Sequence, residues 1–206
     1  MAKSSLWIML GTALATVVIL FLWVGFPKAP DTSVEQEVTT VGGKRLGTSM
    51  NDRILGGPGA DLIDGMEGND LIKDGSGNDE INGGPGNDLL MGGSGNDTLF
   101  GGEGNDKLDG GSDDDILTDG PGRDLIYGRS GKDTINLVGD HLPDLVLAGS
   151  DDDTINLSPD SGADIIDCGG GNDVVNLNGN TSARAPDGTI LAPREKGNSH
   201  CDKINP

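Results

Sequence analysis

From Gly56 the chain can be written in nines: GGPGADLID, GMEGNDLIK, DGSGNDEIN, GGPGNDLLM, GGSGNDTLF, GGEGNDKLD, GGSDDDILT, DGPGRDLIY and GRSGKDTIN. Every unit has Asp at position six and Ile or Leu at position eight, and GTSMNDRIL (47–55) extends the run backwards through Asp52 and Ile54. Ten units therefore reach Asn136 without a gap. After a two-residue slip (Leu137, Val138) come GDHLPDLVL and AGSDDDTIN; after a second (Leu157, Ser158) come PDSGADIID and CGGGNDVVN. Position six is Asp in all fourteen. A unit of nine residues cannot bury an apolar face by itself, so it must stack on its neighbours, which makes the chain a solenoid.

The chemistry of the unit predicts its shape. Glycines at positions two and four admit the positive φ of a tight turn. Positions seven to nine then form a short strand whose middle residue faces inward. The inward set is Ile63, Ile72, Ile81, Leu90, Leu99, Leu108, Leu117, Ile126 and Ile135, continuing with Val146, Ile155, Ile166 and Val175. One buried aliphatic contributes roughly 1.5–3 kcal/mol, less than the backbone entropy lost by the nine residues that carry it. The composition sharpens the deficit: 36 glycines, 3% aromatics and a formal net charge of −20 describe a chain that repels itself. Such a chain stays unfolded unless cations complete it. The surplus of Asp over Lys and Arg also excludes nucleic acid as a partner, since nothing here displaces counterions from phosphates.

The unit resembles the GGxGxDxUx nonapeptide of the RTX (repeats-in-toxin) calcium-binding proteins, across most of the chain after residue 46. The resemblance implies an all-β fold, a right-handed parallel β-roll with two units per eighteen-residue coil, and several calcium ions held between turns stacked on each edge. Calcium takes six to eight oxygen ligands from carboxylates and carbonyls. Carried over, the carboxylate ligands are Asp61, Asp70, Asp79, Asp88, Asp97, Asp106, Asp115, Asp124 and Asp133, followed by Asp153, Asp164 and Asp173. The carbonyl candidates in the turns are Gly57, Gly59, Gly75, Gly77, Gly84, Gly86, Gly93, Gly95, Gly102, Gly104, Gly120, Gly122, Gly169 and Gly171. Asp113 and Asp151 replace the position-four glycine, and Asp tolerates left-handed backbone better than most residues. Met50 and Leu142 at that position predict poor ion sites, the first in a capping unit and the second in an irregular joint.

Outside the repeats, residues 1–26 contain the uncharged run Leu6–Phe26, long enough as a helix to cross about 30 Å of hydrocarbon. With Trp7 and Trp23 near its ends and no small-x-small cleavage site after it, it is expected to be a retained signal-anchor. That places the acidic remainder outside the cytoplasm. Residues 27–46 read as a flexible linker, 47–136 as the unbroken repeat block, 137–176 as irregular repeats and 177–206 as a loop with a capping strand at Lys203–Asn205. Cys168 and Cys201 read as one disulfide pinning that strand to the last repeat, two free thiols being the alternative.

No catalytic motif appears: there is no HExxH, GxSxG elbow, P-loop or helix-opening GxGxxG, and His141 and His200 read as incidental. The chain is expected to be a non-enzymatic, membrane-anchored, calcium-binding roll that folds on binding Ca2+, with a structural or binding role at the cell surface. The alternative is a calcium-dependent adhesion module with a surface polysaccharide or protein as partner; ice binding and a fragment of a secreted RTX toxin or enzyme rank lower. One outer face is expected to collect Leu71, Leu89, Met91, Leu125 and Tyr127, while the other, with Glu80, Asn82, Thr98, Thr134 and Asn136, is more polar.

Overall fold

A computed structural model describes residues 36–37, 39–41, 44–159, 163–179, 201 and 203–205. Each nonapeptide contributes one strand, and alternate units go to opposite sheets. The first sheet has 8 strands, stacked as Gln36–Glu37, Asp52–Leu55, Leu71–Ser76, Leu89–Ser94, Lys107–Ser112, Leu125–Ser130, Leu145–Ser150 and Ile165–Asp167. The second has 10: Thr39–Val41, Lys44–Leu46, Leu62–Asp64, Glu80–Pro85, Thr98–Glu103, Ile116–Thr118, Thr134–Leu137, Thr154–Leu157, Val174–Asn176 and Lys203–Asn205. All neighbours pair parallel except Thr39–Val41, which returns antiparallel along Lys44–Leu46. The fold is therefore the expected parallel β-solenoid. Among the described residues no helix is long and apolar enough to cross a membrane, and the run Leu6–Phe26 lies outside them.

Register follows the repeat. Leu71 pairs with Leu89, and Ile72 with Leu90, so like positions stack one coil apart. Every predicted inward aliphatic is fully buried, from Ile54 and Ile63 to Ile166 and Val175. They form a single column between the sheets. The two slips lengthen the coil from eighteen residues to twenty, the separation of Leu125 from Leu145 and of Thr134 from Thr154. The added length is used inwardly. Leu137 and Leu157 are buried one alternation beyond Ile135 and Ile155, and Ala148 and Cys168 hold the matching places in the first sheet. The later coils thus have a wider apolar core than the earlier ones.

The two ends of the stack close differently. At the start, the expected linker ends sooner than residue 46, because Lys44–Leu46 pairs in parallel with Leu62–Asp64. Arg45 takes the inward register position, opposite Ile63. Its guanidinium donates to the Leu55 carbonyl oxygen and lies 3.4 Å from Asp61 Oδ1. The guanidinium sets a positive charge beside the Asp61 carboxylate at this end of the stack. At the other end the Cys168–Cys201 disulfide forms, with a Cα–Cα distance of 5.2 Å, and Lys203–Asn205 pairs with Val174–Asn176 as expected. With one aliphatic per strand in the early coils, Leu99→Ala is expected to destabilise the calcium-loaded protein by about 2–5 kcal/mol in denaturant unfolding; a loss well below 1 kcal/mol would mean the column does not support the roll.

Candidate metal centres

The turns between strands form the two edges of the roll. Glycines at positions two and four have the predicted positive φ, Gly122 excepted; at Gly84, for example, φ is +100° and a Cβ would strike the Met66 carbonyl of the preceding coil. Asp113 and Asp151 hold the same turn with φ of 79° and 80°, as their tolerance of that region suggested. The carbonyls of Gly57, Gly59, Gly77, Gly84, Gly86, Gly93, Gly102 and Gly104 are directed at the next coil's turn, so these candidates lie between stacked turns.

Position-one glycines serve another purpose. Gly65, Gly83, Gly92, Gly101 and Gly110 are absent from the positive-φ set, yet none has room for a side chain. A Cβ on Gly83 would sit 2.5 Å from both Asp88 Oδ2 and the Gly101 carbonyl oxygen. At Gly65 the same point lies 2.5 Å from Asp70 Oδ2 and from the Gly83 carbonyl. Position-one carbonyls, which the repeat pattern did not single out, therefore converge with the carboxylates in a cradle that a side chain would fill. In the later coils Leu137, Ala148, Leu157 and Cys168 take this inward place, so the open cradle belongs to the first block.

The position-six carboxylates form one ladder along each edge. Each Asp backbone N–H donates to Oδ1 of the Asp one coil on: Asp70 to Asp88 at 2.7 Å, Asp88 to Asp106 at 2.8 Å and Asp106 to Asp124 at 2.7 Å. On the other edge Asp61 donates to Asp79 at 2.7 Å, Asp79 to Asp97 at 3.0 Å, Asp97 to Asp115 at 2.8 Å and Asp115 to Asp133 at 2.9 Å. Asp124, Asp133, Asp144 and Asp153 carry the ladders on to Asp144, Asp153, Asp164 and Asp173 across the twenty-residue coils. The other oxygen behaves differently. Oδ2 of Asp61, Asp70, Asp79, Asp88, Asp97, Asp106, Asp115, Asp124, Asp133 and Asp153 is buried and receives no hydrogen bond.

A buried acceptor with no donor costs about 1–3 kcal/mol, more when charged. Acceptor-only cradles of carboxylate and carbonyl oxygen are the donor set of a hard cation such as calcium. The residues present therefore fit calcium. Burial pushes the Asp70, Asp97, Asp106 and Asp133 carboxyls up to about 6, Asp88, Asp124 and Asp153 to about 7, and Asp115 to about 8. The backbone donor one coil back opposes each shift without cancelling it.

Three features escaped the sequence pattern. Asp74 and Asp119 stand at position one, where most units have glycine, and both are buried. Asp74 lies with Asp61 and Asp79, and Asp119 with Asp124 and Asp144, each group having carboxylate oxygens within 4.8 Å of one another. Asp144 belongs to the Leu142 unit, whose turn the sequence marks as a poor ion site. On the outside, position-five side chains form a second ladder, with the Asn87, Asn105 and Arg123 amides donating to Asn69, Asn87 and Asn105. The substitution of glycine by Asp at position one was visible in the sequence; its consequence depends on neighbours one coil away.

The segments 46–79, 66–99, 73–108 and 109–140 each match the RTX calcium-binding nonapeptide repeat, four copies in all. No curated protein matches the chain significantly.

The raised carboxyls predict the pH response of the calcium-free chain. Their folded-state values, about 6 to 8, exceed the ordinary 3.8, so the folded form favours their protonation. The ladder then opposes folding most strongly above about pH 8, and that opposition is relieved as pH falls toward 4. In calcium-depleted buffer, strand signal in circular dichroism should rise as pH is lowered from 8 to about 4.5; a signal that is flat or falls would contradict the assignment.

Proposed function

Because the repeats of residues 46–140 belong to the RTX calcium-binding nonapeptide family, we propose that this chain is an extracytoplasmic roll that folds on binding Ca2+ and then serves a structural or binding role at the cell surface. The repeats bind calcium, and the β-solenoid they build is a calcium-binding structural fold. The row of buried, donor-less Oδ2 atoms carries the reading, because it runs unbroken from Asp61 to Asp133 along both edges. Bound calcium supplies divalent charge and a demand for six to eight oxygens.

The chain's own residues account for the rest. Oδ1 of each Asp fixes the coil before it, which aims Oδ2 into the cradle. Position-one glycines keep the cradle open, and the inward aliphatics pack as the core between the two sheets. Without a cation the same carboxylates repel one another along both edges, so the ladder that orders the folded chain prevents its folding. The fold is then a sensor of calcium concentration, ordered at the roughly millimolar levels found outside cells, where extracellular modules operate.

The disulfide supports an oxidising compartment. The apolar run Leu6–Phe26 supports a retained anchor that holds the roll at the membrane surface. At pH 7.5, EGTA should abolish the strand signal in circular dichroism and millimolar calcium should restore it. Strand content indifferent to chelation would overturn the proposal.

A further inference from the structure

Asp119 puts a side chain where most units of the first block have none. It is 1% exposed, and its Oδ1 accepts from the Gly120 amide at 2.6 Å and the Val138 amide at 2.8 Å. Its Oδ2 is buried without a donor, as is Oδ2 of Asp124. The carboxylates of Asp119, Asp124 and Asp144 converge within 4.8 Å. Their remaining bonds are ladder bonds, from Asp106 N to Asp124 and from Asp124 N to Asp144, and these fix the groups without neutralising them. Among the described residues no Lys or Arg forms an ion pair with any of the three. The corresponding group on the other edge, Asp61, Asp74 and Asp79, has the Arg45 guanidinium beside it.

Resting on the reading that the ladders bind calcium, we infer that Asp119, Asp124 and Asp144 form a three-carboxylate cation site, distinct in ligand set from the other cradles, which holds its calcium most tightly and prefers a trivalent lanthanide to calcium. Three buried negative charges attract a cation more strongly than a glycine-lined cradle, where among the described residues fewer than three carboxylates come together, and carboxylate count tunes calcium affinity in oxygen-ligand sites. The position adds a structural role. Asp124 belongs to the last eighteen-residue stack and Asp144 to the first coil of twenty, while Asp119 holds the amide of Val138, a slip residue. The cation thereby locks the joint between the two coil lengths.

The test is calcium release from the loaded full-length protein mixed with excess fluorescent chelator. One calcium per chain should leave at least tenfold more slowly than the others, and one equivalent of terbium should abolish that slow phase by taking its site. Asp119→Gly, which restores the residue at position one of most other units, should remove the slow phase while the calcium-dependent strand signal remains. Asp119→Asn, which keeps the side chain's size, should do the same and decides the matter if the glycine variant does not fold. Release in a single phase from the wild type, or a slow phase that survives in either variant, overturns the inference. A wild type that takes up no calcium would instead overturn the functional reading beneath it.

Discussion

The structure depends on how each position-six aspartate divides its carboxylate. One oxygen accepts an amide from the coil before, as Asp88 does from Asp70 at 2.7 Å, and so sets the axial register of the turns. In most of these aspartates, from Asp61 to Asp133 and again at Asp153, the other is held inside the edge with no donor. A hydrogen bond of the first kind contributes about 1 kcal/mol, more when the acceptor is charged. The charge it immobilises is far more costly to leave unpaired. Stacking thus concentrates negative charge in two buried lines, which on the proposed reading makes the fold depend on cations in the space beside them.

The remainder of the roll can be understood as variations in how that charge is met. In the first block, position-one glycines leave room for the cradle, and the core is a single column of Ile and Leu. At the start Arg45 supplies a guanidinium to Asp61 and ends the array. In the later coils the inward place of glycine passes to Leu137, Ala148, Leu157 and Cys168, so apolar burial takes a growing share of the stabilisation. The disulfide then closes the end with a covalent link. The change from the narrower to the wider apolar core falls at the joint where Asp119 stands.

What could be read from the sequence was whatever recurs within one unit. Period, the inward aliphatics, Asp at position six and the αL tolerance of Asp113 and Asp151 are local patterns, and the structure places each as expected. The strands from Leu62 onward start at position seven as expected, but several, such as Leu71–Ser76, run on through position three of the next unit. The Cys168–Cys201 bridge and the strand at Lys203–Asn205 were legible because the last residues echo the repeat. What could not be read depends on neighbours eighteen or twenty residues away. Position-one glycine looks like another turn glycine until its missing side chain is set against Asp88 Oδ2 and the Gly101 carbonyl. Arg45 looks like part of a linker until the register puts it opposite Ile63. Asp74 and Asp119 look like lapses in the pattern until stacking brings each between two other carboxylates.

On the proposed reading, buried carboxylate charge both requires calcium and forbids the fold without it. Asp97→Asn tests it most directly, because an amide oxygen can still accept the Asp79 amide while the charge is removed. Unfolding free energies of the variant and the wild type should be compared with and without calcium. Opposite signs are expected: Asp97→Asn less stable than the wild type when calcium is saturating, and closer to folded when calcium is absent. A substitution that shifts stability in the same direction under both conditions would contradict it.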